Sequence, residues 1–205
     1  MSSYPVRDPE KDHLITPENS VLIIIDYQPI QITSINSMDK NMLIHNMGML
    51  ADLAQAFNLP TILSTVNVRT GVNKDTIPEI RTHIGDIPSY DRTSINAWED
   101  KEFYEAVQAT GRKKLLMAAL WTEACLTFPT IDALREGFEV YPIVDCVGGT
   151  SLIAHEAALR RVEQAGAQLS GFAQLACELQ RDWNRYDTSH DFVRIMESAH
   201  FFPKF

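Results

Sequence analysis

"KKLLMAALWTEACLTFPTIDALREGFEVYPIVDC", residues 113–146, decides the fold. Its first eight residues run from two lysines into an apolar segment and read as a buried strand. Residues 122–137 are a helix candidate, closed by Gly137. "FEVYPIVDC", 138–146, reads as a further strand, although Pro142 leaves it without one ladder donor. Cys125 then falls in the first turn of a helix that follows a central strand. Pro129 cannot donate to the Cys125 carbonyl, so the helix should be distorted or only beginning there.

The same alternation continues outward in both directions. "VLIIID", 21–26, is a β-branched run ending in an acid, apolar on both faces as a buried parallel strand requires. In residues 39–58, Leu43, Met47, Leu50, Ala54 and Phe57 line one face of a helix. "LPTILSTVNV", 59–68, is a second strand. Residues 68–90 read as a long loop with a helical turn, and "SYDRTS", 89–94, as a short strand. Residues 100–111 are helical, with Phe103 and Val107 inward and Gly111 closing. Residues 151–166 form a helix with Ser151 as N-cap. "AQLSGF", 167–172, is a last short strand, and 173–184 a last core helix.

This pattern predicts an α/β fold of three layers, α/β/α, around a mainly parallel, roughly six-stranded, Rossmann-like sheet. One domain, 1–205, is expected, with a core of about 14–185 and a tail from 186 to 205. In that tail Phe192, Ile195 and Ala199 share a helical face, an apolar patch of the kind that marks a subunit contact. Ligands of such sheets bind at the carboxyl ends of the strands, where strand order reverses. That rule singles out Asp26, Asn67, Trp121 to Cys125, and Asp145.

Composition narrows the function. Hydrophobic residues make up 45% of the chain and charged residues 22%, as in an ordinary globular protein. The formal net charge of −9 disfavours nucleic acid and anionic membranes as partners. The polar first twenty residues lack the apolar core of a signal peptide, and the longest apolar run is far short of a membrane span. Three cysteines, an odd number, fit free thiols in a reducing cytoplasm.

Several chemistries leave no motif. There is no G-x-G-x-x-G, no P-loop and no G-x-S-x-G. His13, His45, His83, His155, His190 and His200 are scattered, and none has the spacing of a zinc site. What remains centres on Cys125, where helix N–H groups favour a thiolate and form a ready oxyanion site. A small buried hydrophobe is the competing role for that cysteine. Asp26 is either a buried carboxylate in need of a partner or a capping acid. Arg92 alone reads as a surface ion pair, and Trp98 and Trp121 as core residues or pocket walls.

Taken together, "VLIIIDYQ", "FNLPTILSTV", "RTSINAWED", residues 111–146 and "AGAQL…ACELQRDW" resemble the isochorismatase-like cysteine hydrolase superfamily, over about Leu14 to Trp183. The third and fifth of these, with the proline after the cysteine, are more similar to its YcaC-related hydrolases. The resemblance implies a catalytic Asp-Lys-Cys triad, with Asp26 and, from Thr122-Glu123-Ala124-Cys125, Cys125. The family lysine is missing; its nearest counterpart is Arg92, as in the YcaC-related group. A cis peptide is implied before Trp121, with the backbone N–H groups of Trp121 and Cys125 as the oxyanion hole. Asn96, Trp98, Trp121 and Phe128 are the candidate substrate-binding residues. Nicotinamidases of the superfamily hold a metal through an Asp-His-His set after the second strand. "STVNVRTG" lacks those histidines, so neither a metal nor another cofactor is expected. The implied partner is a small-molecule substrate, and the implied assembly a homo-oligomer such as an octamer.

Three functions compete at this point. One is hydrolysis of a small amide or related C–N bond through a thioester on Cys125, which should then be the most reactive cysteine. The second is vinyl-ether hydrolysis of the isochorismatase type, which needs no covalent intermediate. The third is a catalytically idle oligomeric binding protein.

Overall fold

A computed structural model describes residues 6–203. Five parallel strands form one sheet in the order β3-β2-β1-β4-β5. They are β1 (Ser20–Ile25), β2 (Thr61–Val66), β3 (Ser89–Arg92), β4 (Lys114–Ala119) and β5 (Glu139–Pro142). The helices are α1 (Pro29–Thr33), α2 (Lys40–Ala56), α3 (Pro78–Ile84), α4 (Lys101–Ala109), α5 (Thr127–Arg135), α6 (Leu152–Gln164), α7 (Phe172–Gln180) and α8 (Tyr186–Ser198).

Side chains alternate across a strand, so one strand feeds two cores. Leu22 and Ile24 of β1, with Leu116 and Ala118 of β4, pack in the core that holds α2, α7 and α8. Val21, Ile23 and Ile25, with Leu115, Met117 and Ala119, pack in the core that holds α4 and α5. Both strands are buried along their whole length, which is why they read as unbroken apolar runs. The five residues assigned to the inner face of α2 are all buried.

The structure departs from expectation in four places. "AQLSGF" contributes one isolated bridge, Ser170 to Ile143, so the sheet has five strands rather than six. The last strand stops at Pro142, and Val144–Cys146 is a 3-10 turn, because a proline offers the ladder no N–H. The 68–90 segment holds a full helix, α3, opened by Pro78 and ended by Gly85 at φ 68°. The tail residues Phe192, Ile195 and Ala199 do share a face, but it is buried within the chain in the core of α2 and α7. That apolar face is therefore not free to mark a subunit contact. Residues 1–5 of the polar start, and Lys204 and Phe205 of the tail, lie outside the described residues. Among the described residues, no helix is long and apolar enough to cross a membrane.

Candidate active site

Strand order reverses between β1 and β4: the chain lays β2 and β3 to one side of β1, then returns to place β4 and β5 on the other. The carboxyl ends of β1 and β4 therefore open beside one crevice. Asp26 ends β1 in the left-handed region, φ 63°, which turns the chain out of the sheet. Its own N–H still donates to the Ser64 carbonyl, at 3.0 Å, so the turn stays tied to β2. Asn67 does the same at the end of β2, with φ 62°.

Arg92 ends β3, two strands from β1 and so about 10 Å away across the sheet. Its long side chain crosses the end of β2 to reach Asp26. Nη1 donates to Oδ1 and Nη2 to Oδ2, both at 2.7 Å, a two-pronged ion pair. Nη1 also donates to Ser64 Oγ (3.0 Å) and the Thr65 carbonyl (3.1 Å), and Nη2 to the Ile95 carbonyl (3.2 Å). Asp26 is 0% exposed and Arg92 2%. Burial alone would lower the Arg92 pKa, but the Asp26 carboxylate more than offsets it and holds the guanidinium above its ordinary value. The roles of capping acid for Asp26 and surface ion pair for Arg92 do not fit this geometry.

Beyond β4, the Leu120–Trp121 peptide is cis, and Thr122–Leu126 form a π-helical turn before α5 begins. The Leu126 N–H reaches back five residues to the Trp121 carbonyl, at 3.2 Å. Pro129 explains the wide turn, since it gives the Cys125 carbonyl no N–H and its ring resists a normal α-turn. Cys125, 7% exposed, lies on this turn. Its thiol feels both the Asp26 carboxylate and the Trp121 backbone N–H, which act on its pKa in opposite directions.

Burial pushes the Cys125 thiol well above the ordinary cysteine range, and the Asp26 charge pushes it further. Arg92 and the Trp121 N–H pull the other way without cancelling the rise. Burial and the Asp26 charge thus oppose the thiolate that the helix N–H groups favour, and keep the proton on sulfur. The helix N–H groups are local to the sequence, whereas desolvation and the carboxylate neighbour come from packing.

The other candidates divide. Trp121 is half-buried, and its indole N–H donates to Ser34 Oγ at 2.7 Å, which fixes the ring beside the Cys125 turn. Phe128 is half-buried at the start of α5. Trp98 is turned into the core, edge-on to Phe103, Tyr104 and Phe138, with Nε1 donating to Glu136 beyond the far end of α5. Asn96 has both ends of its amide engaged, by the Trp98 N–H and Asp132. Trp98 and Asn96 are thus held by packing and bracing contacts. Asp145 accepts the N–H of Phe172 at the start of α7, a structural role.

Sequence reading missed the brace around these groups. Gln28, fully buried, accepts the Val66 N–H and donates to the carbonyls of Val66 and Lys74, locking the β1 and β2 exits together. Glu123 accepts two hydrogen bonds from Thr150, which docks the Cys125 turn on the segment before α6. A buried polar residue two places after Asp26 was the available signal for Gln28; nothing local marks Thr150. Among the described residues, no three His, Cys, Asp or Glu side chains are grouped to hold a metal ion.

The isochorismatase domain model matches residues 20–174. The probable hydrolase YcaC of Escherichia coli is 39% identical over 166 residues, covering 80% of this chain and 79% of its own. A solved structure of YcaC from Pseudomonas aeruginosa, with hexane-2,5-diol and covalent acrylamide, superposes with a TM-score of 0.85 at 32% identity. It covers 96% of this chain and 94% of that one. The structure of the Escherichia coli YcaC product, described as an octameric hydrolase of unknown specificity, superposes at 0.80 with 34% identity. It covers 93% and 98% of the two chains.

Proposed function

The chain belongs to the isochorismatase-like hydrolase family, and from that premise we propose that it is a cysteine hydrolase of small amides or related C–N bonds, acting through a thioester on Cys125. The observation that carries this reading is the buried, two-pronged Asp26–Arg92 pair at the strand-order reversal onto which the buried Cys125 turn opens after β4. Asp26 takes the thiol proton as sulfur bonds to the substrate carbon, and the carbonyl π pair moves to oxygen. The backbone N–H groups of Trp121 and Cys125 hold that oxyanion. Collapse breaks the C–N bond, and Asp26 returns its proton to the leaving nitrogen. Water, deprotonated by Asp26, then attacks the thioester; the acid leaves and the thiol regains its proton. Arginine stays charged throughout, so all proton movement falls to Asp26.

Covalent acrylamide in the Pseudomonas aeruginosa relative, a small amide, is consistent with this reading. The octameric Escherichia coli relative supports a homo-oligomer here too. Three free cysteines fit a reducing compartment, and we place the protein in the cytoplasm. The test is a hydrolysis screen over small amides, with intact-mass detection of an acyl adduct after rapid quench. Turnover with an adduct on Cys125 supports the proposal. Turnover unaffected by Cys125→Ser points to vinyl-ether-type chemistry without a thioester, and no turnover on any amide points to an idle binding protein.

A further inference from the structure

The charges of the site define what it can accept. In the resting site Asp26 is negative, Arg92 positive and Cys125 a neutral thiol, so the group sums to zero. When the thiol attacks a neutral amide, its proton neutralises Asp26 and one negative charge appears on the carbonyl oxygen. Arg92 balances that charge, and the sum is again zero. A substrate carrying a carboxylate would add one negative charge at every stage, and a buried unpaired charge is strongly disfavoured.

On the described connections at the strand ends, no second cation is placed to meet it. Arg92 spends both terminal nitrogens on Asp26, Ser64, Thr65 and Ile95; its single unpartnered donor is Nε. The other basic side chains on the described connections, through the first turn of α2, α4 and α6 and including α3, are Lys40, Arg69, Lys74, Arg81, His83, Lys101 and His155. Arg81 and His83 lie on α3, which packs with α2 in the core on the other face of the sheet from Cys125, and Lys101 pairs with Glu105 at the surface. His155 bonds Thr122 Oγ1, and burial lowers its pKa, which favours the neutral ring. Lys40 bonds the Thr33 carbonyl and Arg69 is paired with Asp91. Lys74 is exposed, where solvent screens its charge. By contrast, apolar side chains stand exposed on these same connections: Ile30 after β1, Val72 after β2, Ile95 after β3, and Leu152 and Ile153 where α6 opens.

We infer that the Cys125 site selects small uncharged amides with an apolar acyl group and rejects carboxylate-bearing analogues. This rests on the hydrolase reading for the word substrate, but the charge selection itself is a property of the site. The test therefore uses the thiol directly. The native protein is treated with iodoacetamide or iodoacetate at equal concentration and pH, and Cys125 labelling rates are read by peptide mapping. N-acetylcysteinamide in the same buffer gives the intrinsic ratio of the two reagents. The amide-to-acid ratio at Cys125 should exceed that of the free thiol by about tenfold or more. A ratio equal to or below the free thiol's overturns the inference.

A second measurement covers the case in which neither reagent reaches Cys125. Saturation-transfer NMR compares isobutyramide with isobutyrate on the native protein and on Cys125→Ser. Contact by the amide alone, lost when iodoacetamide has blocked Cys125 or when Ser replaces it, supports the inference. Equal or stronger contact by isobutyrate, or contact by neither, overturns it. Charge selection without hydrolysis in the amide screen would sink the hydrolase reading and leave this inference standing.

Discussion

At the scale of single residues, the buried Asp26–Arg92 pair couples stability to catalysis. Removing one member of a buried ion pair costs about 3–5 kcal/mol, because the other is left charged and unpaired. Arg92→Ala should therefore lower the melting temperature as well as activity, with kcat/KM falling by about 10²–10³. Arg92→Lys keeps the charge but not the two-pronged fit, so it should fall between Arg92→Ala and the native protein. Asp26→Asn removes the only group able to move the proton and should cost about 10³-fold or more in kcat/KM. Steady-state kinetics with melting curves on the three variants checks this order; normal turnover by Arg92→Ala would remove Arg92 from the site.

The thiol gives an independent reading. Because burial and then Asp26 raise the Cys125 pKa, the thiolate is a minor species at neutral pH, and its share rises with each increment of pH. Cys125 alkylation by iodoacetamide should thus climb with pH without a plateau below about pH 9. Asp26→Asn removes the negative neighbour and leaves Arg92 unpaired. The Cys125 pKa should fall, so the variant should alkylate faster at pH 7 while turning over far more slowly. A slower or unchanged rate in Asp26→Asn would show that Asp26 does not contact the thiol.

At the scale of one element, the π-helical turn sets where the sulfur stands. Pro129 is its local cause, and the Glu123–Thr150 bonds hold it against the segment before α6. Pro129→Ala restores an N–H for the Cys125 carbonyl and lets a regular α-turn compete. The variant should fold at least as well as the native protein, yet lose about tenfold in kcat/KM, since a shift of about 1 Å at a nucleophile is enough for a loss of that order. Matched melting curves and kinetics check both halves. Full activity in Pro129→Ala would mean that the brace from Thr150, not the proline, fixes the turn.

At the scale of the whole molecule, α8 belongs to the core of its own chain. Phe192 is buried, edge-on to Trp183 and Phe202. Phe192→Ala should cost about 3–5 kcal/mol of stability, the usual loss for a buried phenylalanine. It should leave the subunit count of the folded protein unchanged. Light scattering beside denaturant titration tests both; dissociation to a 23.2 kDa chain with native stability would return the tail to the subunit contact.

The sequence by itself determined the layers, the central strands and two members of the site. After Ser20 and Lys114, β1 and β4 are apolar at every position, and that pattern alone says that both faces are covered. Asp26 and Cys125 were legible because each stands where such a run ends, and Pro129 announced the irregular turn. Local pattern records which way a side chain faces; it does not record what it meets. Arg92 lies 66 residues from Asp26 on a four-residue strand, and only strand order and register bring the two together. The same limit hid the inward turn of Trp98, the spent amide of Asn96 and the burial of the α8 face. It hid the state of the thiol as well, because desolvation and the Asp26 charge come from packing across the sheet, and these outweigh the helix N–H groups that the sequence could show.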